Sequence, residues 1–160
     1  MQPSLSLTML LYVVLVSILV ILCLWYVWYR PIHKPTHAGG IVYKKEKGIT
    51  LFLLVTSSAN KSKWVLPKGK IEGSETGEFA AIREVMEEAG VSAKPVKKAG
   101  TVRYFKKGQR IAVVYFLMEF VHFYDTSSEG RKIAWLKKEE AVKRTASNNL
   151  KRILLKVKVH

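Results

Sequence analysis

The sequence predicts an α/β or α+β sandwich preceded by a single membrane-spanning helix. Three observations carry this reading. An uncharged apolar run opens the chain, several short segments rich in β-branched residues follow, and two stretches of helical periodicity lie among them. Strands and helices mix without a regular βαβ alternation, which suits a sandwich.

The opening run extends from Leu7 to Tyr29, broken only by Thr8 and Ser17. About 20 such residues cross a bilayer core as a helix. Trp25, Tyr26, Trp28 and Tyr29 would sit at one interface, where amphipathic rings are favoured. Arg30 and Lys34 follow, while Met1 to Ser6 carries no Lys or Arg. The positive-inside rule then puts the N-terminus outside and residues 30–160 in the cytoplasm. A cleaved signal peptide would need a basic leading region and a small-residue cleavage site, and neither is present. Residues 1–30 are therefore read as an anchor with lipid as its partner through residues 7–29. Cys23 reads as an inert apolar thiol. Pro31 and Pro35 break any helical continuation, so residues 31–36 form a short stiff linker. The remaining residues, 37–160, make one domain.

Within that domain, Ala38–Lys45, Thr50–Thr56, Gly100–Phe105, Ile111–Val121 and Lys132–Leu136 read as strands. In the stretch Glu78–Ala89, Phe79, Ile82, Val85, Met86 and Ala89 recur at helical spacing and predict one buried face. A second helical region runs from Lys138 to about Val157, with Ala141, Val142, Leu150, Ile153 and Leu154 as its apolar positions. No internal repeat or low-complexity segment interrupts the pattern.

With hydrophobic residues at 49% and charged residues at 24% of 160, a packed core is expected rather than disorder. Lys and Arg total 27 against 12 Asp and Glu, a formal +15, none of it placed before Arg30. Such an excess favours anionic partners. One cysteine excludes an intramolecular disulfide, and no Cys/His cluster has zinc spacing. The four histidines, His33, His37, His122 and His160, are scattered and read as solvent-facing or linker residues. No nucleic-acid-binding motif or aromatic-interleaved basic stripe is present, so no specific nucleic-acid partner is expected. The oligomeric state is not legible.

The chemistry is concentrated in Trp64–Val91. Glu84, Glu87 and Glu88 stand at i, i+3 and i+4, which places three carboxylates on one helix face, opposite the apolar positions and away from the core. Like charges at this spacing repel, and a hard divalent cation such as Mg²⁺ or Mn²⁺ would offset the repulsion. Ahead of the helix, Leu66-Pro67-Lys68-Gly69-Lys70 reads as a turn in which Gly69 permits unusual dihedrals and close ligand approach. Gly90 suits a left-handed helix cap. Acidic helix faces are usually just solvated, but the wider pattern argues otherwise here. Gly69, Glu75, Arg83-Glu84-Val85, Glu87-Glu88 and Gly90-Val91 fill every position of the Nudix box. Seven fixed residues at about one in fifteen each match by chance on the order of 10⁻⁸ of the time.

The chain thus resembles Nudix hydrolases, and the likeness extends beyond the box to Ala38-Gly39-Gly40-Ile41-Val42 and to Glu129-Gly130-Arg131 with Trp135. The resemblance implies an α/β/α sandwich around a mixed sheet. It also implies Mg²⁺- or Mn²⁺-dependent hydrolysis of a nucleoside diphosphate derivative or related diphosphate. By matching position, Glu84 and Glu88 would be the principal metal ligands, and Glu87 either a third ligand or the general base. Glu129 is the rival base. Arg83 would orient a box glutamate, Glu75 would hold the loop against the helix, and the Lys68 carbonyl would complete the metal shell. Lys63, Lys68, Gly69, Lys70, Lys107 and Arg110, with Lys106, would hold an anionic, phosphate-rich small molecule. Thr56-Ser57-Ser58, Trp64-Val65-Leu66-Pro67 and Glu129-Gly130-Arg131-Lys132 resemble diphosphoinositol polyphosphate phosphohydrolases. The Pro67-Lys68-Gly69 turn is closer to diadenosine tetraphosphate hydrolases. Alternatives are a nucleoside triphosphate or nucleotide-sugar hydrolase, or a non-catalytic membrane-tethered module that binds nucleotides.

Overall fold

A computed structural model describes residues 6–29, 34–124 and 129–159. Residues 1–5, 30–33, 125–128 and 160 lie outside these, as do the side chains of Val27, Trp28 and Tyr29, so half of the expected linker falls outside the described residues. The chain divides into two compact units, residues 1–33 and 34–160.

The first unit is one helix, α1 (Leu7–Tyr29). Its 23 residues rise about 34 Å at 1.5 Å each. The segment Leu7–Tyr26 has a mean hydropathy of 3.0 over its most apolar stretch, and none of that stretch is buried. Ser17 donates its hydroxyl to the Val13 carbonyl at 2.8 Å, so its polar group is satisfied within the helix. By length and composition α1 can cross a membrane. An apolar surface on every side is what such a helix needs and what a water-exposed one avoids.

The second unit holds strands β1 (His37–Glu46), β2 (Ile49–Thr56), β3 (Trp64–Val65) and β4 (Lys68–Lys70), then helix α2 (Gly77–Ala89). Strands β5 (Val91–Lys106), β6 (Gln109–Phe123) and β7 (Ile133–Lys137) follow, and helices α3 (Lys138–Arg144) and α4 (Asn148–Lys156) close it. The strands form one sheet in the order β3-β2-β1-β6-β5, with β4 paired to β1 and β7 to β2. Strands β1 and β6 run parallel and the other pairs antiparallel, so the sheet is mixed.

Both faces of the sheet are covered, which is why its central strands read as nearly continuous apolar runs. Along β6, Ile111, Val113, Tyr115 and Leu117 enter one core cluster with Leu150, Ile153 and Leu154 of α4. Their alternates Val114 and Met118 enter a second cluster with Ala80, Ala81, Val85 and Ala89 of α2. The two-residue period of the strand thus divides its side chains between two helical layers. The result is the α/β/α sandwich around a mixed sheet.

The structure departs from the sequence reading in four places. Strand β5 begins at Val91, nine residues before the expected start, because β-bulges near Ala93, Lys97 and Gly100 break the alternation that would have marked it. The region from Lys138 to Val157 is two helices, interrupted where Thr145 turns extended and donates its buried hydroxyl to the Ala141 carbonyl at 2.7 Å. The Pro67–Lys70 segment is a short strand rather than a turn, hydrogen-bonded along β1. Finally, α2 buries a different face from the one expected. Phe79 and Met86 are 67% and 40% exposed, while Glu84 and Glu88 are buried beside Ala80, Ala81, Val85 and Ala89. The helix lies so close to the sheet that small residues fill the contact and the larger apolar ones are turned outward.

Candidate active site

Helix α2 is fixed at both ends by its own sequence. The Thr76 hydroxyl accepts from the Phe79 amide at 3.3 Å, and Gly90 adopts φ 65° while its N–H donates to the Met86 carbonyl at 2.8 Å. Its approach to the sheet depends on Gly40, where a Cβ would collide with Val85 and Met118. Strand β4 then lies along the same edge of α2, held as the Gly40 amide donates to the Pro67 carbonyl at 3.1 Å.

Gly69 is the point of closest contact. A Cβ there would fall inside the Glu84 carboxylate. Of the two expected reasons for this glycine, its dihedrals are not in the left-handed region, while close approach to the main chain is observed, with the Glu84 carboxylate as the approaching group. Strand β4 also presents the Lys68 amide to Glu88 Oε2 at 3.3 Å.

Two arginines organise the acidic groups. Arg83 donates to Glu75 Oε1 at 2.6 Å, to Glu84 Oε1 at 2.8 Å, to Glu87 Oε2 at 3.0 Å and to the Lys70 carbonyl at 2.9 Å. Glu75 in turn accepts from the Glu72 amide at 2.7 Å. One guanidinium thus ties the loop before α2, strand β4 and two box carboxylates together, well beyond an isolated surface ion pair. Hydrogen bonding to Glu75 is the main reason the Arg83 guanidinium is held charged even more firmly than usual, and the same bond draws the Glu75 carboxyl below its ordinary range.

Arg131 is the second organiser. It lies 2.6 Å from Glu88 Oε1 and 2.6 Å from Glu129 Oε2, and it also donates to the Thr56 carbonyl at 3.4 Å. The Glu129 amide donates to the Glu87 carbonyl at 3.2 Å, which seats this loop on α2. The sequence reading quoted Arg131 only as part of a motif and gave it no place in the site. The available signal was its position two residues after Glu129, across a glycine that adopts φ 56°.

Burial and charge set the protonation of the centre. Burial pushes the Glu88 carboxyl up to about 7 against the pull of Arg131 and Lys68. Glu84 is raised for the same reason, with Arg83 opposing and the neighbouring glutamates adding to the rise. Burial lowers the Lys68 ammonium, and the nearby Glu88 counteracts it. Glu87 and Glu129 are the more exposed members, at 34% and 42% of their side chains.

The structure therefore brings Arg83, Glu84, Glu87, Glu88, Glu129, Lys68 and Gly69 together. Lys70 contributes its carbonyl to Arg83. Lys106 lies within electrostatic reach of Lys68 and His37. Lys63 sits in the loop before β3, where its carbonyl accepts from Ser57. Lys107 and Arg110 sit at the turn between β5 and β6, with the Arg110 guanidinium 5.8 Å from the Phe105 ring centre. Among the described residues, Lys63 and Lys107 are in none of the ion pairs around the carboxylates.

Among the described residues, no three His, Cys, Asp or Glu side chains gather tightly enough to hold a metal ion by themselves. Arg83 pairs with Glu84 and Glu87, and Arg131 pairs with Glu88. The donor set still suits a hard divalent cation in kind. Glu84 and Glu88 are both buried and both raised, Glu88 partly by Glu84 and Glu84 partly by Glu87 and Glu129, which is the strain a cation relieves. Mg²⁺ usually takes only one or two carboxylates and fills its remaining sites with water and phosphate oxygens.

Comparison with known proteins agrees with this architecture. A NUDIX domain model matches residues 33–157. Human diphosphoinositol polyphosphate phosphohydrolase 3-alpha is 38% identical over 94 residues, 57% of each chain. The mouse diphosphoinositol polyphosphate phosphohydrolase 2 is 38% identical over 93 residues, 57% of this chain and 52% of that one. The chain thus spans a little over half the length of these curated relatives. Among solved structures, a Caenorhabditis elegans Ap4A hydrolase binary complex superposes with a TM-score of 0.64 at 28% identity, covering 75% of this chain and 92% of that one. The MutT protein of Methanosarcina mazei gives 0.61 at 25% identity, covering 78% and 94%. With the family model matched across most of the chain and the box carboxylates assembled against β4, the protein belongs to the Nudix family.

Proposed function

We propose that this protein is a metal-dependent pyrophosphohydrolase that cleaves a phosphoanhydride bond in a polyanionic substrate, a dinucleoside polyphosphate or a diphosphoinositol polyphosphate. The observation that carries the reading is the pair of buried carboxylates, Glu84 and Glu88, packed against β4 and steadied by Arg83 and Arg131. Buried acids that only stabilise a fold are rare, because desolvation opposes their charge. The choice of substrate follows the names of the relatives and the net +15 of the chain.

Glu84 and Glu88, with the Lys68 carbonyl, would hold Mg²⁺ or Mn²⁺, whose bound form neutralises phosphate charge and acidifies water. Arg83 keeps Glu84 and Glu87 oriented through its shared guanidinium. One of the half-exposed carboxylates, Glu87 or Glu129, would accept a proton from the attacking water. Lys68 supplies positive charge near Glu88 and Glu84, and Lys70, Lys106, Lys63, Lys107 and Arg110 would engage the outlying phosphates. Helix α1 would anchor the enzyme in a bilayer, with residues 34–160 on the cytoplasmic side.

The deciding experiment measures phosphate or nucleotide release with Mg²⁺ or Mn²⁺ from diadenosine polyphosphates, diphosphoinositol polyphosphates, nucleoside triphosphates and ADP-ribose. Metal-dependent turnover lost in Glu88→Gln supports the reading, and the best substrate names the class. Binding without turnover, unchanged by that substitution, refutes it in favour of a binding module. Protease protection of the intact chain in membranes tests the orientation, which fails if residues 34–160 are digested by protease added outside sealed cells.

A further inference from the structure

The two faces of the sheet differ in charge as well as in the helices that cover them. Helix α2 and the box carboxylates occupy one face, whereas α4 packs on the other through Leu150, Ile153 and Leu154. On that second face, α4 and β5 enclose a cleft of about 250 Å³ whose walls include Gly100, Arg103, Asn149, Arg152, Ile153 and Lys156.

No acidic side chain lines this cleft. The sequence has none between Val91 and Met118 and none from Ala141 to His160. Arg103, Arg152 and Lys156 are exposed, and among the described residues none of them is in an ion pair. Three cations on one concave wall repel one another, and among the described residues no acidic side chain lines the cleft to offset it.

The cleft is shaped by particular backbone features. The register of β5 against β6 slips between Lys98 and Gly100, which bends the strand. Gly100 has φ 150°, and Ile153 lies 3.6 Å from where its Cβ would be, so α4 seats directly over the bend. Asn149 donates to the Arg103 carbonyl at 3.4 Å and links helix to strand. The volume is below the roughly 300–1,000 Å³ of clefts for drug-sized ligands. It suits a few phosphate groups, whose oxygens match the planar donor forks of two arginines.

We propose that this cleft is a second, non-catalytic binding site for clustered phosphate groups, carried by a soluble oligophosphate or by a phosphorylated lipid headgroup. It lies across the sheet from the carboxylates and does not depend on the hydrolase reading.

The test uses the full chain in a non-ionic detergent with divalent ions chelated. One arm titrates inorganic tripolyphosphate and follows the amide resonances of Gly100, Thr101 and Val102. The other measures capture by bilayer nanodiscs of phosphatidylcholine with and without phosphatidylinositol bisphosphate. The triple variant Arg103→Gln, Arg152→Gln, Lys156→Gln is compared with a control of equal charge change, Lys47→Gln, Lys61→Gln, Lys143→Gln. A loss of roughly ten-fold or more in either arm, confined to the cleft variant, supports the site and identifies the source of phosphate. Equal, modest weakening by both variants in both arms, the mark of non-specific charge attraction, overturns it. So does tripolyphosphate binding that leaves the three amides unmoved while the nanodisc arm shows no difference between the variants.

Discussion

Replacing Glu88 with glutamine should stabilise the fold at alkaline pH while removing a residue proposed to hold the metal. The Glu88 side chain is 3% exposed, and burial lifts its carboxyl from an ordinary 4.5 to about 7. A folded-state acid raised in this way binds its proton more tightly than the unfolded chain does. Its favourable contribution is therefore complete below about 4.5 and is lost as the pH climbs through 7. At about 1.4 kcal/mol per tenfold change in proton affinity, ionising it in place costs about 3 kcal/mol. The variant gives up the charge of the Arg131 pair, but Arg131 keeps Glu129 at 2.6 Å, so a net gain of about 1–2 kcal/mol at pH 8 is expected. Chemical unfolding of residues 34–160 in chelator, with wild type and Glu88→Gln compared from pH 5 to pH 8, measures it. Taking the difference between the two proteins cancels every other titrating group. The gap should open in favour of the variant as the pH rises and close towards pH 5. A gap that stays constant with pH, or a variant that is less stable at pH 8, would show that the Arg131 bridge outweighs burial and would refute the argument.

Arg83→Lys should lower kcat by about 10–100-fold, because one ammonium cannot hold Glu75, Glu84, Glu87 and the Lys70 carbonyl together; steady-state kinetics with unchanged thermal stability would distinguish positioning from folding. Gly69→Ala should displace the Glu84 carboxylate, destabilise the domain by about 1–3 kcal/mol and reduce turnover sharply, as read by denaturant unfolding beside the activity assay. Gly90→Ala forces an alanine to φ 65° and should cost about 1–2 kcal/mol with little change in KM. Thr145→Val removes the buried hydroxyl that caps α3 and should cost about 1 kcal/mol, again measured by chemical unfolding.

How much of this was legible depends on the range of the forces involved. The apolar helix α1, strands β1, β2, β6 and β7, and the extent of α2 follow from periodicity and composition, which are local. Strand β5 was only half visible, since its bulges erase the alternation and its lysines and Pro95 imitate a loop. The division between α3 and α4 turns on a tertiary contact, in which the Ala146 amide donates to the Trp64 carbonyl at 3.1 Å. No spacing rule within residues 138–157 encodes that partner.

The site divides along the same line. Sequence alone picked out the carboxylates and the Arg83 that the structure brings together, because the spacing of Gly69, Glu75, Arg83, Glu84, Glu87, Glu88 and Gly90 is fixed by one loop and one helix. It also determined the cap at Gly90, where the requirement is a left-handed backbone. Only the tertiary structure decided that Glu84 and Glu88 face inward while Phe79 and Met86 face water. That outcome depends on Gly40, which lets Val85 approach the sheet, on Gly69, which leaves room for Glu84, and on Arg131, which pairs with Glu88, all of them outside α2 on strands or loops. A helical pattern shows which residues share a face. Which face is buried is set by what approaches it, and here a bare strand edge and a guanidinium made burial of carboxylates tolerable.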